Sequence, residues 1–130
     1  MATTAAYAST PVAALAQVST ANTARDGSGT LATVLTGASN GTRIDDIVIK
    51  ATVTTTAGTI RFFMSLDGGT TKRLIYEIQV TANTVSATNP AWSWVLSDLG
   101  WILPNTNAIL YASTEKAEAI NICVTRAGSF

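Results

Sequence analysis

The sequence predicts an all-β protein, an antiparallel β-sandwich of about eight strands, and three observations carry that prediction. Ala and Thr supply roughly a third of the 130 residues, with Thr in runs such as Thr54-Thr55-Thr56. The branched Thr side chain is stiff at its first torsion and suits a pleated strand better than a helix. Apolar and polar residues alternate with a period of two over most of the chain. Turn signals rich in Gly, Asn, Asp and Pro recur about every eight to fifteen residues, the rhythm of a sandwich or a small barrel.

The elements follow in order. Residues 1–18 read as a flexible or extended N-terminal arm, with an extended segment near Val12 to Thr20, and residues 19–130 as one β domain. A short helix competes near the start, because Thr10 could cap it, Pro11 suits a first turn, and Val12 to Gln17 contains Ala and Leu. Leu31, Thr33 and Leu35 alternate with Ala32 and Val34 up to Gly37. After the Asn40-Gly41 turn comes a long strand in which Ile47, Ile49, Ala51 and Val53 share one face, with Asp46 and Lys50 on the other.

The sharpest local signal is a hairpin. Ile60, Phe62, Met64 and Leu66 share a face, with Phe63 as the exception, and Leu74, Tyr76, Ile78 and Val80 share a face in the next run. Asp67-Gly68-Gly69 joins the two runs and supplies the positive backbone angles of a tight turn. Trp92, Trp94 and Leu96 then alternate with Ser93, Val95 and Ser97, and Pro104 to Asn107 forms a turn. Ala108 to Ser113 and Ala119 to Arg126 complete the set, with Ile120, Ile122 and Val124 on one face. One helical turn between Ser113 and Ala119 is the alternative there, since Glu115 and Glu118 lie three apart.

Composition excludes more chemistry than it suggests. Eight basic and eight acidic side chains cancel, which leaves no electrostatic footprint for nucleic acid or an anionic membrane surface. The absence of histidine removes His-based triads, His metal sites and imidazole acid-base chemistry. No stretch approaches the roughly 20 apolar residues that span a bilayer, and Met1 to Thr10 lacks the basic start and apolar core of an export signal. The lone Cys123 sits in an apolar run and reads as a small buried thiol. A soluble protein made in a cytoplasm is expected.

No motif rises to a catalytic or cofactor site. Asp45 and Asp46 diverge on a strand, so they cannot share a proton, and Asp45-Asp46 reads as a solvated pair near Arg43. Asp67-Gly68-Gly69 is followed by no carboxylates at calcium-ligand spacing. Gly27-Ser28-Gly29 lacks the lysine of a phosphate loop. No catalytic residue, cofactor or metal is therefore expected. The aromatics are more informative: Trp92 and Trp94 share a face and Trp101 follows a turn. They read as fillers between two sheets, as anchors for a protein partner, or as a platform for sugar rings. Tyr7, Trp92, Trp94 and Trp101 are the candidate interface residues. With only 12% charged residues, a surface of short polar side chains suits close packing against neighbours in a symmetric assembly.

A resemblance adds to these readings. Ser19 to Thr30, Asn40-Gly41-Thr42-Arg43-Ile44, Ile49 to Thr52, Ala57 to Phe63, Leu110 to Thr114, Glu118 to Ile122 and Gly128-Ser129-Phe130 together resemble a family of short virion-associated proteins of tailed bacteriophages. The similarity runs from about Val18 to Phe130 and is a pattern of strands and turns, without a chemical motif. It implies a jelly-roll-like β-sandwich used as a head decoration or cement protein. The expected partners are the major capsid protein and copies of the chain itself, as a homotrimer. The expected location is the capsid exterior, after synthesis in the host bacterial cytoplasm. A tail, neck or baseplate component and a carbohydrate-binding module are the alternatives.

Overall fold

The computed structural model describes residues 8–130, so Tyr7 and the first part of the expected arm lie outside the described residues. Nine strands and no helix occur among the described residues: β1 (Thr10–Val18), β2 (Ala32–Thr36), β3 (Thr42–Ala51), β4 (Gly58–Ser65), β5 (Arg73–Val80), β6 (Ser93–Leu96), β7 (Trp101–Leu103), β8 (Ile109–Thr114) and β9 (Ile120–Ser129). They form two antiparallel sheets. Sheet A has the order β1-β9-β3-β6, with β7 also beside β3, and sheet B has the order β2-β8-β4-β5. Ile44, Ile47, Ile49, Ile122 and Val124 of sheet A and Ile60, Phe62, Ile78 and Leu110 of sheet B bury into one shared core, giving a sandwich-like fold.

Several expectations are refined or corrected. The extended reading near Val12 to Thr20 holds over its helical competitor: β1 pairs with β9 from Thr10↔Ser129 to Val18↔Ile120. Tertiary pairing outweighs the modest helix propensity of so short an Ala-containing run. The strand count rises from eight to nine because Trp101–Leu103 pairs with Thr42–Ile44, three residues being too few to show a period. No helical turn forms at 113–119, where Glu118 instead accepts bonds from the Thr56 amide at 2.9 Å and the Thr56 hydroxyl at 2.6 Å. Val53 lies beyond β3 and is exposed.

Bulges account for the misplaced faces. In β3, register irregularities on both sides of Asp46 let Ile44 and Ile47, three apart, both reach the core. In the β4-β5 hairpin, Phe62 pairs with Tyr76 but Phe63 pairs with Leu74. Ile75 is thus the extra residue, and Leu74 joins Phe63 on the outer face of sheet B instead of sharing the face of Tyr76. A similar shift in β2 brings both Val34 and Leu35 to the core. Leu66, expected in line with Met64, falls in the loop and is exposed. The hairpin turn itself forms as expected, with Gly68 and Gly69 at φ 76° and 96°.

The outer face of sheet B is covered by the chain itself. Residues 19–31 cross it, tied down by the Asn22 amide on the Thr114 carbonyl at 2.8 Å. Asn22 is buried and saturated: its Nδ2 donates to the carbonyls of Ser28 and Thr30, and its Oδ1 accepts from the Ala24 amide. Gly29, at φ 79°, allows this clamp, because a Cβ there would lie 2.7 Å from the Asn22 amide nitrogen. Under this cover Phe63 is fully buried, and Arg61 is 2% exposed.

Candidate functional site

The outer face of sheet A has no such cover among the described residues. Its register aligns one cross-strand row: Leu15 opposite Cys123, Cys123 opposite Val48, and Val48 opposite Val95. Leu15 is 83% exposed and Val95 61% exposed, with Val48 and Cys123 half-buried between them. Cys123 is therefore not the buried thiol expected; on β9 its neighbours Ile122 and Val124 take the core side and leave it on the outer side.

Polar groups frame this row. On one side Gln17 donates to Asn121 at 2.8 Å, and Lys50, opposite Asn121 and Ser93, donates to the Ala91 carbonyl at 2.6 Å. On the other side Arg126 bridges Asp46 at 3.1 Å and Asp98 at 3.0 Å. The Asp98 backbone amide on Asp46, followed by the Arg126 guanidinium, holds the Asp46 carboxyl below its ordinary value, and Asp46 in turn raises the Arg126 guanidinium. Asp45 is taken by Arg43 at 2.8 Å, as the solvated pair near Arg43 was expected to be. An apolar centre with a satisfied polar rim is the anatomy of a protein contact surface.

The three tryptophans separate. Trp92, whose carbonyl accepts from the Ala51 amide, is 9% exposed and belongs to the core. Trp94, opposite Ile49 on the edge strand β6, is 48% exposed because the core does not extend to cover it. Trp101 is half-buried and packs edge-on against Phe62, with ring centroids 5.8 Å apart, and beside Tyr76 at 6.1 Å. Core filler thus describes Trp92, and only Trp94 presents half its ring outward. Tyr7 lies outside the described residues.

A second concavity, an open groove of about 430 Å³ at the hairpin end, is lined by Met64, Leu66, Asp67, Thr71, Arg73 and Ile75. It gathers no reactive group. Asp67 is engaged by the Thr71 amide and the Ser65 hydroxyl, both at 2.8 Å, which hold its carboxyl below the ordinary value. Among the described residues no cluster of three or more Asp, Glu, Cys or His side chains is placed to hold a metal ion. Sequence reasoning missed Leu15 and Val95 as surface residues. Their exposure follows from strand register, and the one signal available was the alternation that puts Leu15 with Gln17 and Val95 with Ser93. The geometry defines an all-β protein of two sheets whose sheet A presents an open, polar-rimmed apolar surface. No protein-family model and no curated protein sequence matches the chain.

Proposed function

We propose that this is a structural, non-enzymatic protein of a tailed bacteriophage, a decoration or cement protein that sits on the outer head shell. Its partners in this reading are the major capsid protein and further copies of the chain, and it is made in the cytoplasm of the host bacterium before joining the virion. The resemblance of the segments between Val18 and Phe130 supports the assignment. The finer fold reading is a jelly roll, supported by the interleaved orders β1-β9-β3-β6 and β2-β8-β4-β5, in which strands from both halves of the chain alternate between the two sheets.

The observation that carries the proposal is the uncovered row Leu15, Cys123, Val48 and Val95 with its polar rim. Its action is passive: shallow contacts repeated at many capsomer junctions sum to a shell that resists internal pressure. Co-sedimentation of the purified chain with decoration-free heads tests this. Binding is expected, and Val95→Asp, in the row itself, is expected to weaken it at least about tenfold while the isolated fold melts unchanged. A particle reconstruction that places the subunit on the tail, neck or baseplate, or heads that bind none, would replace the proposal. Because Trp94 exposes half its ring, a sugar titration of tryptophan fluorescence is the direct check on a carbohydrate-binding module.

A further inference from the structure

The four sheet edges are unequally protected. β2 is five residues long and irregular between Thr33 and Leu35. β5 carries Arg73 and Glu77 and a bulge, and Glu77 is engaged by Arg25 at 2.6 Å. The β6 and β7 edge is four and three residues long, broken by a turn in which Asp98 stands at φ 54°. Shortness, charge, bulges and breaks are the devices that keep an edge from pairing with another strand. β1 differs: it is nine residues long, and the chain has no charged side chain before Arg25.

β1 pairs only with β9, and its other edge carries no hydrogen-bonded strand among the described residues. Its irregularities, Pro11 and a register shift between Val12 and Ala14, lie at one end; Ala14 to Val18 is an unbroken ladder. Across the corner of the sandwich β2 runs in the other sheet, and an opening of about 110 Å³ separates Gln17 and Val18 from Thr30 to Ala32.

We propose that β1 is a docking edge for the β1 of a second copy of this chain, paired antiparallel about a two-fold axis at Leu15. The inference rests on the self-association in the reading above but replaces the expected homotrimer with a dimer, because each copy has one β1 edge and a two-fold contact uses it up. The charge pattern selects the occupant. Among the edges of this chain only another β1 offers an uncharged strand of matching length, since β5 would bring Arg73 and Glu77, and the uncharged β2, β6 and β7 are five, four and three residues long.

The two-fold at Leu15 follows from the side chains. In that register Val12 faces Val18, Ala13 faces Gln17, and Pro11, which has no amide hydrogen to donate, falls opposite Ser19 beyond the strand. Leu15 meets its own copy at the roughly 5 Å spacing of directly opposed strand residues. The apolar row then runs without a break from Val95 through Leu15 into the partner's row, and sheet A becomes one sheet across both copies. A two-fold contact also closes on itself, whereas head-to-tail edge pairing would propagate into fibres.

Sedimentation velocity of the full chain between about 1 and 200 µM tests the contact. A concentration-dependent dimer is expected, and Leu15→Lys should raise its dissociation constant at least about tenfold without changing the melting temperature. In a Cys123→Ser background, Leu15→Cys should cross-link copies under copper-phenanthroline oxidation, while the sheet B control Thr33→Cys should not. A chain monomeric throughout, a trimer, or a dimer indifferent to Leu15→Lys overturns the inference. If monomeric protein still binds heads, the inference falls and the proposed function stands; a dimer that binds no heads reverses that outcome.

Discussion

The two outer faces of this sandwich are built from the same kind of strand and meet opposite fates. On sheet B, residues 19–31 fold back over the outer face, on which Phe63, Ser113 and the guanidinium of Arg61 are buried. On sheet A, Leu15 and Val95 stay in solvent, and Arg126, one of the basic side chains there, is more than half exposed beside Asp46 and Asp98. Among the described residues the longest loop closes one face and none covers the other, so the uncovered face is the one placed to meet a neighbour. Polar chemistry follows the same division. Arg61 approaches Glu77 at 3.5 Å and Glu115 at 3.8 Å without hydrogen-bond alignment, and its one hydrogen bond, to the Asn22 carbonyl, is long at 3.4 Å. Arg126 makes three closer bonds in water.

Substitutions should separate the faces by size of effect. Phe63→Ala empties a fully buried position under the cover and is expected to cost about 3–5 kcal/mol in denaturant unfolding. Val95→Ala, its counterpart on sheet A, is expected to cost less than about 0.5 kcal/mol. Equal costs would mean that sheet A is covered too.

Removing the buried cation comes next. Arg61→Ala strips the covered face of the charge that balances two partly exposed carboxylates, and about 2–3 kcal/mol is expected, below the roughly 3–5 kcal/mol of a broken buried pair because the carboxylates left behind reach water. Arg126→Ala should cost under about 1 kcal/mol, as exposed ion pairs do. Asn22→Ala attacks the clamp and leaves the Ser28 and Thr30 carbonyls without their donor. A loss of about 1–3 kcal/mol is expected, with faster amide exchange confined to residues 19–31 and the strands beneath them.

Acid gives the smallest and most local change. The Arg25 hydrogen bond, with Arg25 and Arg61 charge behind it, holds the Glu77 carboxyl below its ordinary value of 4.5. A lowered carboxyl stabilises the fold fully above its unfolded value and loses that contribution as pH falls through the folded one. Amide exchange of residues 19–31, corrected for intrinsic rates, should therefore loosen below about pH 4.5 and be flat from pH 6 to 8. Glu77→Gln should reduce that acid response, leaving the part that comes from Asp26, whose carboxyl the Ser28 hydroxyl and amide also hold below its ordinary value.

Much of the architecture was legible in the residues. Asp67-Gly68-Gly69 between two alternating runs marked the β4-β5 hairpin, and Ile120, Ile122 and Val124 marked the core face of β9. The site was less legible. Trp92 and Trp94 look equivalent in sequence, yet one is core and the other half-exposed, because the shared core ends between them. Cys123 and Leu15 looked like ordinary apolar residues, and nothing local distinguishes the face that residues 19–31 cover from the face they leave bare.

Alternation and turn chemistry are local, acting between neighbours a few residues apart, and they were enough to specify strands, hairpins and the all-β class. Which bulge shifts a face, which strand lies at an edge, and which outer surface receives the loop depend on partners tens of residues away in sequence. Arg61, exposed by every local rule and buried in the fold, depends on Asn22, Glu77 and Glu115 arriving from three separate segments. Those contacts exist only after the two sheets have closed, so the tertiary structure alone decided where this protein is sealed and where it is open.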